Sequence, residues 1–256
     1  MALIFSGADA DKVNFGSGTT LDNVNTFTYL MWLYRTGTNT TDVATLVTKG
    51  SFPDSRHELS VSDIDGTSML VVVDRATTDA AATASTAIDL NAWNFIGATF
   101  SATNGPKIFK GSLTSLLAEV AYSSGPTTGA GAVGDDSATN LEVGGRSGST
   151  TGSMPARIAW VGIWNVEMTL AQMQTQQFRP HVTSGCVLFS HLGFNGTGTQ
   201  PDWSGNGNSG TVIDATLGDH IPLMAPWGLI TEWLGAFAAA GGAGVRLKRM
   251  ALFGMG

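Results

Sequence analysis

Apolar and polar residues alternate with a period of two, in short runs, through residues 1–215. That rhythm commits the chain to strands, because only an extended backbone turns successive side chains to opposite faces. The run "TFTYLMWLYR", residues 26–35, goes further. Phe27, Tyr29, Met31 and Leu33 share one face, Leu30, Trp32 and Tyr34 the other, and both faces are apolar. Such a strand belongs in the middle of a sheet that is covered on both sides. "ELSVSDIDGTSMLVVVD" reads as two strands joined by a tight turn at Asp65–Gly66, a strong hairpin signal. "AWNFIGATF" ends at Asn104–Gly105, which supplies the next turn before "KIFKGSLTSLLAEVAY". A glycine-rich loop over 123–137 precedes "LEVGGR" and "ARIAWVGIWNV", and "CVLFSHLGF" closes the series.

One segment breaks the rhythm. In "TLAQMQTQQF", Thr169 followed three places later by Gln172 forms a capping box, in which each side chain bonds the other residue's backbone N–H. Leu170 and Met173 then face the sheets from a short helix. Many antiparallel hairpins, a single helix and no βαβ rhythm predict an all-β fold. The expected form is a two-sheet antiparallel jelly-roll sandwich with one short helix and a C-terminal extension. The 33 glycines among 256 residues, clustered with Ser, Thr and Asn between the apolar runs, suit its many turns.

Charge and cysteine content narrow the function. A net charge of −7 argues against nucleic acid, whose phosphates demand Lys and Arg. Cys186, the single cysteine, sits among apolar residues and reads as a buried, inert thiol. No apolar run reaches the roughly 20 residues of a membrane span. "MALIFSGADADKV" lacks the basic and apolar regions of a signal peptide and reads as a first strand. The expectation is a protein made in the cytoplasm and released, if at all, by lysis.

In their order, "KVNFGSG", "TFTYLMWLYR", "LVTKG", "AWNFIGATF", "KIFKG", "LEVGGR" and "ARIAWVGIWNVEMTLAQM" resemble the laminin-G-like, concanavalin A-like jelly rolls. The last piece is similar to that family's closing strand, which runs into a short helix. "DWSGNGNSGTV" is similar to the Asp-x-Ser-Gly-Asn-Gly-Asn turn that accompanies these domains. The resemblance spans most of residues 3–215 and implies the sandwich. It leaves function open, because the family includes lectins, adhesion modules, glycan-binding attachments to enzymes and structural modules.

Catalysis by such a fold implies glycoside hydrolysis, which needs two carboxylates flanking the scissile bond. Related glucanases carry a Glu-x-Asp-x-x-Glu run, and this chain has none; in "HELSVSDID", Glu58, Asp63 and Asp65 do not keep one spacing on one face. His57, His181, His191 and His220 are scattered without metal-ligand spacing, and no Gly-x-Ser-x-Gly elbow is present. The chain is read as a non-enzyme.

"PDWSGNGNSGTV", residues 201–212, poses a sharper question. Asp202, Ser204, Asn206 and Asn208 place oxygens at alternate positions with Gly207 at the bend, which imitates the first half of a calcium loop. Asp202, Asn206 and Asn208 are the Ca2+ candidates. Position twelve, however, is Ile213 where a bidentate Glu belongs, with Asp214 one place later. A self-bonded turn is the favoured reading, with no cofactor. Among Trp32, Trp93, Trp160, Trp164 and Trp203, four lie in strand patterns; Trp203, in the loop, is the glycan candidate.

Residues 225–256 lie outside the resemblance and form a C-terminal arm appended to a 1–224 sandwich. Ile230, Trp233, Leu234 and Phe237 follow i, i+3, i+4, i+7, an apolar helical stripe, with Trp227 just before it. Arg246, Lys248 and Arg249 follow "GGAG". The arm carries three basic residues and one acidic, net +2, against −9 for the body. These eight residues are the partner-contact candidates, since exposed apolar surface marks contact sites. The arm's alternative use is to cover its own sandwich. The functional expectation is a non-catalytic structural or surface module, a phage capsid-decoration or tail protein held by its arm to virion subunits or further copies of itself. The alternative is a soluble carbohydrate-binding module.

Overall fold

The computed structural model describes residues 1–7, 11–37, 44–51, 54–61, 68–147 and 154–222. Two antiparallel sheets stack face to face, as the sequence predicts. The first contains β1 (Ala2–Phe5), β3 (Phe27–Arg35), β8 (Trp93–Ser101), β9 (Gly105–Ser112), β10 (Ala118–Glu119), β13 (Ala156–Trp164), β14 (Cys186–His191) and β16 (Thr216–Gly218). The second contains β2 (Lys12–Gly16), β4 (Ala44–Ser51), β5 (Asp54–Val61), β6 (Met69–Val73), β7 (Ala80–Ala84), β11 (Tyr122–Thr127), β12 (Leu141–Val143) and β15 (Thr211–Ile213). The first sheet runs β10-β9-β8-β3-β13-β1-β16, with β14 continuing along β13 where β1 stops; the second runs β11-β7-β6-β5-β4-β12-β2-β15. Consecutive strands of one sheet are therefore often distant in sequence, the mark of a jelly roll.

Strand β3 is central and pairs with β8 and β13 along most of its length. Its two faces serve two layers. Phe27, Tyr29, Met31 and Leu33 enter the core between the sheets, against Val13, Val47, Leu59 and Val71 of the opposite sheet. Leu30 and Trp32 enter a second, outer layer with Phe95, Trp160, Trp164 and Phe189. The outer layer is closed by α1 (Leu170–Phe178), whose capping box between Thr169 and Gln172 is formed.

The helix differs from expectation on one side. Met173 is buried, but Leu170 is 40% exposed, and the buried partners are Gln176 and Gln177. The cause is the neighbouring 112–117 segment, whose backbone leaves polar groups to satisfy. Gln177 accepts from the N–H of Leu117 at 2.8 Å and donates to the carbonyls of Ser112 and Ser115, each at 2.8 Å. The glycine-rich loop also begins later than expected, because Tyr122–Thr127 pairs with β7 as an edge strand. The β5–β6 hairpin forms, and its turn at Asp65–Gly66 lies outside the described residues. No helix among the described residues is long and apolar enough to cross a membrane.

Candidate functional site

The turn at 202–208 is built from its own side chains. One Asp202 carboxylate oxygen accepts from the N–H of Phe189 at 3.1 Å and of Ser204 at 2.9 Å. The other accepts from the Ser204 hydroxyl at 2.8 Å and the N–H of Asn208 at 2.9 Å. Four donors thus occupy the carboxylate that a calcium ion would need. Asn206 donates to the Cys186 carbonyl at 3.0 Å, and Asn208 donates to the Val187 carbonyl at 2.9 Å and the Thr20 hydroxyl at 2.8 Å. Gly205 and Gly207, at φ +90 and +78, supply the left-handed backbone that the corner requires. Among the described residues no three His, Cys, Asp or Glu side chains converge on a common point.

From this corner Asn206 enters one wall of a cleft of about 500 Å³. The segment 19–26, which leads into β3, forms the other wall, and Asn165 after β13 stands beside them. Asn25 and Asn165 are exposed and their side-chain amides make no hydrogen bond among the described residues. Cys186 and Val187 floor the cleft. Burial, with Asp202 close by, pushes the Cys186 thiol up to about 12, so it stays protonated and inert at neutral pH.

Trp203 lies on the same corner as Asn206 and is 49% exposed, whereas Trp32, Trp93, Trp160 and Trp164 are buried. Its N–H donates to the Phe189 carbonyl at 2.7 Å. Its ring meets the edge of Phe194, itself exposed, at 5.4 Å between centroids. The corner thus offers amides on one side and an aromatic pair on the other.

Behind the cleft, inside the core, lies a polar cluster that sequence reading did not assemble. Tyr29 on β3 and His57 on β5 meet from opposite sheets through the phenol oxygen and Nδ1. His57 Nε2 reaches Asp136 Oδ2 at 3.0 Å, and Asp136 Oδ1 accepts from the N–H of Asn23, in the cleft wall, at 2.7 Å. Asn23 returns the contact by accepting from the N–H of Asp136 at 3.3 Å. Lys49, wholly buried on β4, donates to Asp22 at 2.8 Å and to the Thr139 carbonyl at 2.7 Å. Burial pushes the Asp136 carboxyl up, but the bonds from His57 and Asn23 and the charge of Lys49 outweigh it, leaving the carboxyl below its usual range. Burial, and then the Asp136 charge, hold the Tyr29 phenol well above its ordinary value.

A signal for this cluster exists in the sequence. Lys49 shares the inward parity of Val47, and His57 that of Leu59, so both interrupt an apolar face at period two.

The remaining predicted positions are dispersed. Glu58 is buried on the outer face of its sheet, held by Arg146 at 3.0 Å and Thr45 at 3.3 Å, while Asp63 and Asp65 lie outside the described residues. His191 is held below the ordinary imidazole value, first by burial and then by His220 and the N-terminal amine. A second cleft, of about 390 Å³ beside α1, contains Glu119 and Glu167. Glu119 accepts from the Tyr122 hydroxyl, and Glu167 from Ser101 and Asn104, each at 2.7 or 2.8 Å. The arm residues Trp227, Ile230, Trp233, Leu234, Phe237, Arg246, Lys248 and Arg249 lie outside the described residues.

No family model matches the sequence, and no curated protein matches it. Solved structures do. A candidate carbohydrate-binding protein from Bacteroides ovatus aligns with a TM-score of 0.56 at 16% identity, over 84% of this chain and 62% of its own. The heptameric SAP-like pentraxin of Limulus polyphemus aligns with a TM-score of 0.50 at 12% identity, over 68% of this chain and 80% of its own. Domains LG4-5 of the mouse laminin α1 chain align with a TM-score of 0.43 at 13% identity, over 66% of this chain and 43% of theirs. The chain spans less than two thirds of the Bacteroides protein. The fold is the concanavalin A-like jelly roll that the sequence resembles.

Proposed function

We propose that this chain is a non-catalytic, carbohydrate-binding jelly-roll module whose ligand occupies the cleft between segment 19–26 and the 202–208 corner. One observation carries the reading: a cleft lined by short amide and hydroxyl side chains, with an exposed tryptophan on the corner that contributes Asn206. Sugar hydroxyls both donate and accept, and Asn and Thr side chains answer both roles in fixed geometry. Trp203 and Phe194 are exposed and do not line the cleft, and their rings are suited to the C–H face of a sugar that extends past it along the corner. The volume lies within the range of small-ligand sites. The candidate carbohydrate-binding activity of the Bacteroides protein supports the reading by fold analogy. Asp22, bonded to Lys49, is the one carboxylate lining the cleft among the described residues, whereas glycoside hydrolysis uses two. A glycan array with the full chain tests this. The account expects a defined glycan class to bind, with Asn165→Ala and Trp203→Ala each weakening it at least tenfold; an array without binding refutes it.

A second reading, as a virion or other surface-assembly module, rests on the arm. Its apolar stripe and its net charge of +2 against a body of −9 suit docking on a neighbouring subunit. Light scattering on the full chain and on a chain lacking 225–256 tests it: the full chain should assemble and the shortened one should not. The two readings are compatible, since assembly would make weak glycan sites multivalent.

A further inference from the structure

We infer that Lys49 and Asp136, inside the sandwich and shielded from any ligand, set the affinity of the cleft by fixing the position of Asp22 and Asn23. The inference rests on the cleft being the binding site. It starts from an imbalance: a wholly buried ammonium is costly, and a hydrophobic residue of similar volume would fill the Lys49 position. Lys49 instead bridges two separate segments, Asp22 in the cleft wall and the Thr139 carbonyl behind it. Asp136 makes the parallel tie, joined to Asn23 by reciprocal backbone–side-chain bonds. The turn that carries Asp136 is braced in turn, with the Thr139 N–H and hydroxyl both donating to the Asp136 carbonyl at 2.9 and 2.8 Å.

The far end of the relay crosses between the sheets. Tyr29 has His57 Nδ1 as its single hydrogen-bond partner among the described residues, and His57 Nε2 faces the Asp136 carboxylate. Tyr29, His57 and Asp136 thus form a buried line from the first sheet, through the second, to the N–H of Asn23. Asn23 has a positive φ of 54, a left-handed conformation that Asn adopts more readily than most residues. The two bonds to Asp136 hold it there. Lys49 and Asp136 are positioning residues: they touch no ligand, and they hold the wall that does.

The test uses the full chain and two readouts. Asp136→Asn replaces an acceptor with a donor facing either His57 or Asn23; it should shift the Asn23 amide signal in 1H–15N spectra and weaken glycan binding at least tenfold. Lys49→Met should do the same for Asp22. His57→Gln retains both a donor for Asp136 and an acceptor for Tyr29, so it should keep affinity within about threefold, whereas His57→Leu should not. Should Asp136→Asn fail to fold, the Gln and Leu variants at His57 carry the same contrast. Unchanged Asn23 signals, or equal affinities for the two His57 variants, overturn the inference. If no glycan binds the parent, the cleft reading fails by itself, and the amide shifts still decide whether the relay positions the wall.

Discussion

The two buried layers of this molecule solve the same packing problem with different chemistry. The outer layer, under α1, is aromatic: Trp32 packs at a tilt against Phe95 with centroids 5.1 Å apart, and Phe95 against Trp160 at 5.7 Å. One of its polar groups serves the helix: the Trp32 indole donates to the Gln177 carbonyl at 2.8 Å. The inner layer is aliphatic over most of its area, yet at the cleft end it holds Tyr29, Lys49, His57 and Asp136. Buried charge is a poor route to stability, and aromatic packing a good one. The contrast teaches that the outer layer holds the fold, while the polar end of the inner layer shapes the cleft.

The largest effect should come from the outer layer. Trp32→Ala should cost about 3–5 kcal/mol in chemical denaturation, the usual range for removing a buried tryptophan, while the folded protein keeps its glycan affinity. Loss of affinity without loss of stability would reverse the assignment of the two layers. Lys49→Met should cost less, about 1–3 kcal/mol, because Asp22 retains some solvent contact; here affinity should fall as well.

Acid sharpens the contrast. The Asp136 carboxyl lies below its ordinary value in the folded state, so the stability it contributes is full at neutral pH and lost as pH falls through the folded value, below about pH 4. Denaturation midpoints of Asp136→Asn should therefore fall less steeply than the parent's over that window, and parallel curves would count against the relay. Smallest of all, Thr169→Ala should cost about 1 kcal/mol through the lost helix cap, with no change in binding. Adding chelator should leave the melting temperature unchanged if the 202–208 corner holds itself together with hydrogen bonds.

The sequence announced the sandwich because alternation is a local property. The opposed faces of β3, the Asn104–Gly105 turn and the Thr169 capping box each lie within ten residues and were readable there. Strand β7 was not, since "AAATA" offers almost no contrast between its faces. Leu170 misled for a related reason: helical phase cannot reveal that the 112–117 backbone would claim glutamines for the helix's buried side. The site was half legible. Trp203 stood out as a loop aromatic, but Asn23 and Asp136 are 113 residues apart in sequence, and only the jelly-roll crossover brings them into contact.

One titration tests the account most directly: 1H–15N spectra of the full chain recorded with increasing amounts of the glycan selected by the array. The account predicts that shifts concentrate at the amides of Asn23, Asn25, Asn165 and Asn206 and at the Trp203 indole, with the buried tryptophans of the outer layer unmoved. Shifts gathered around Glu119 and Glu167 beside α1, with the sandwich end silent, would contradict it.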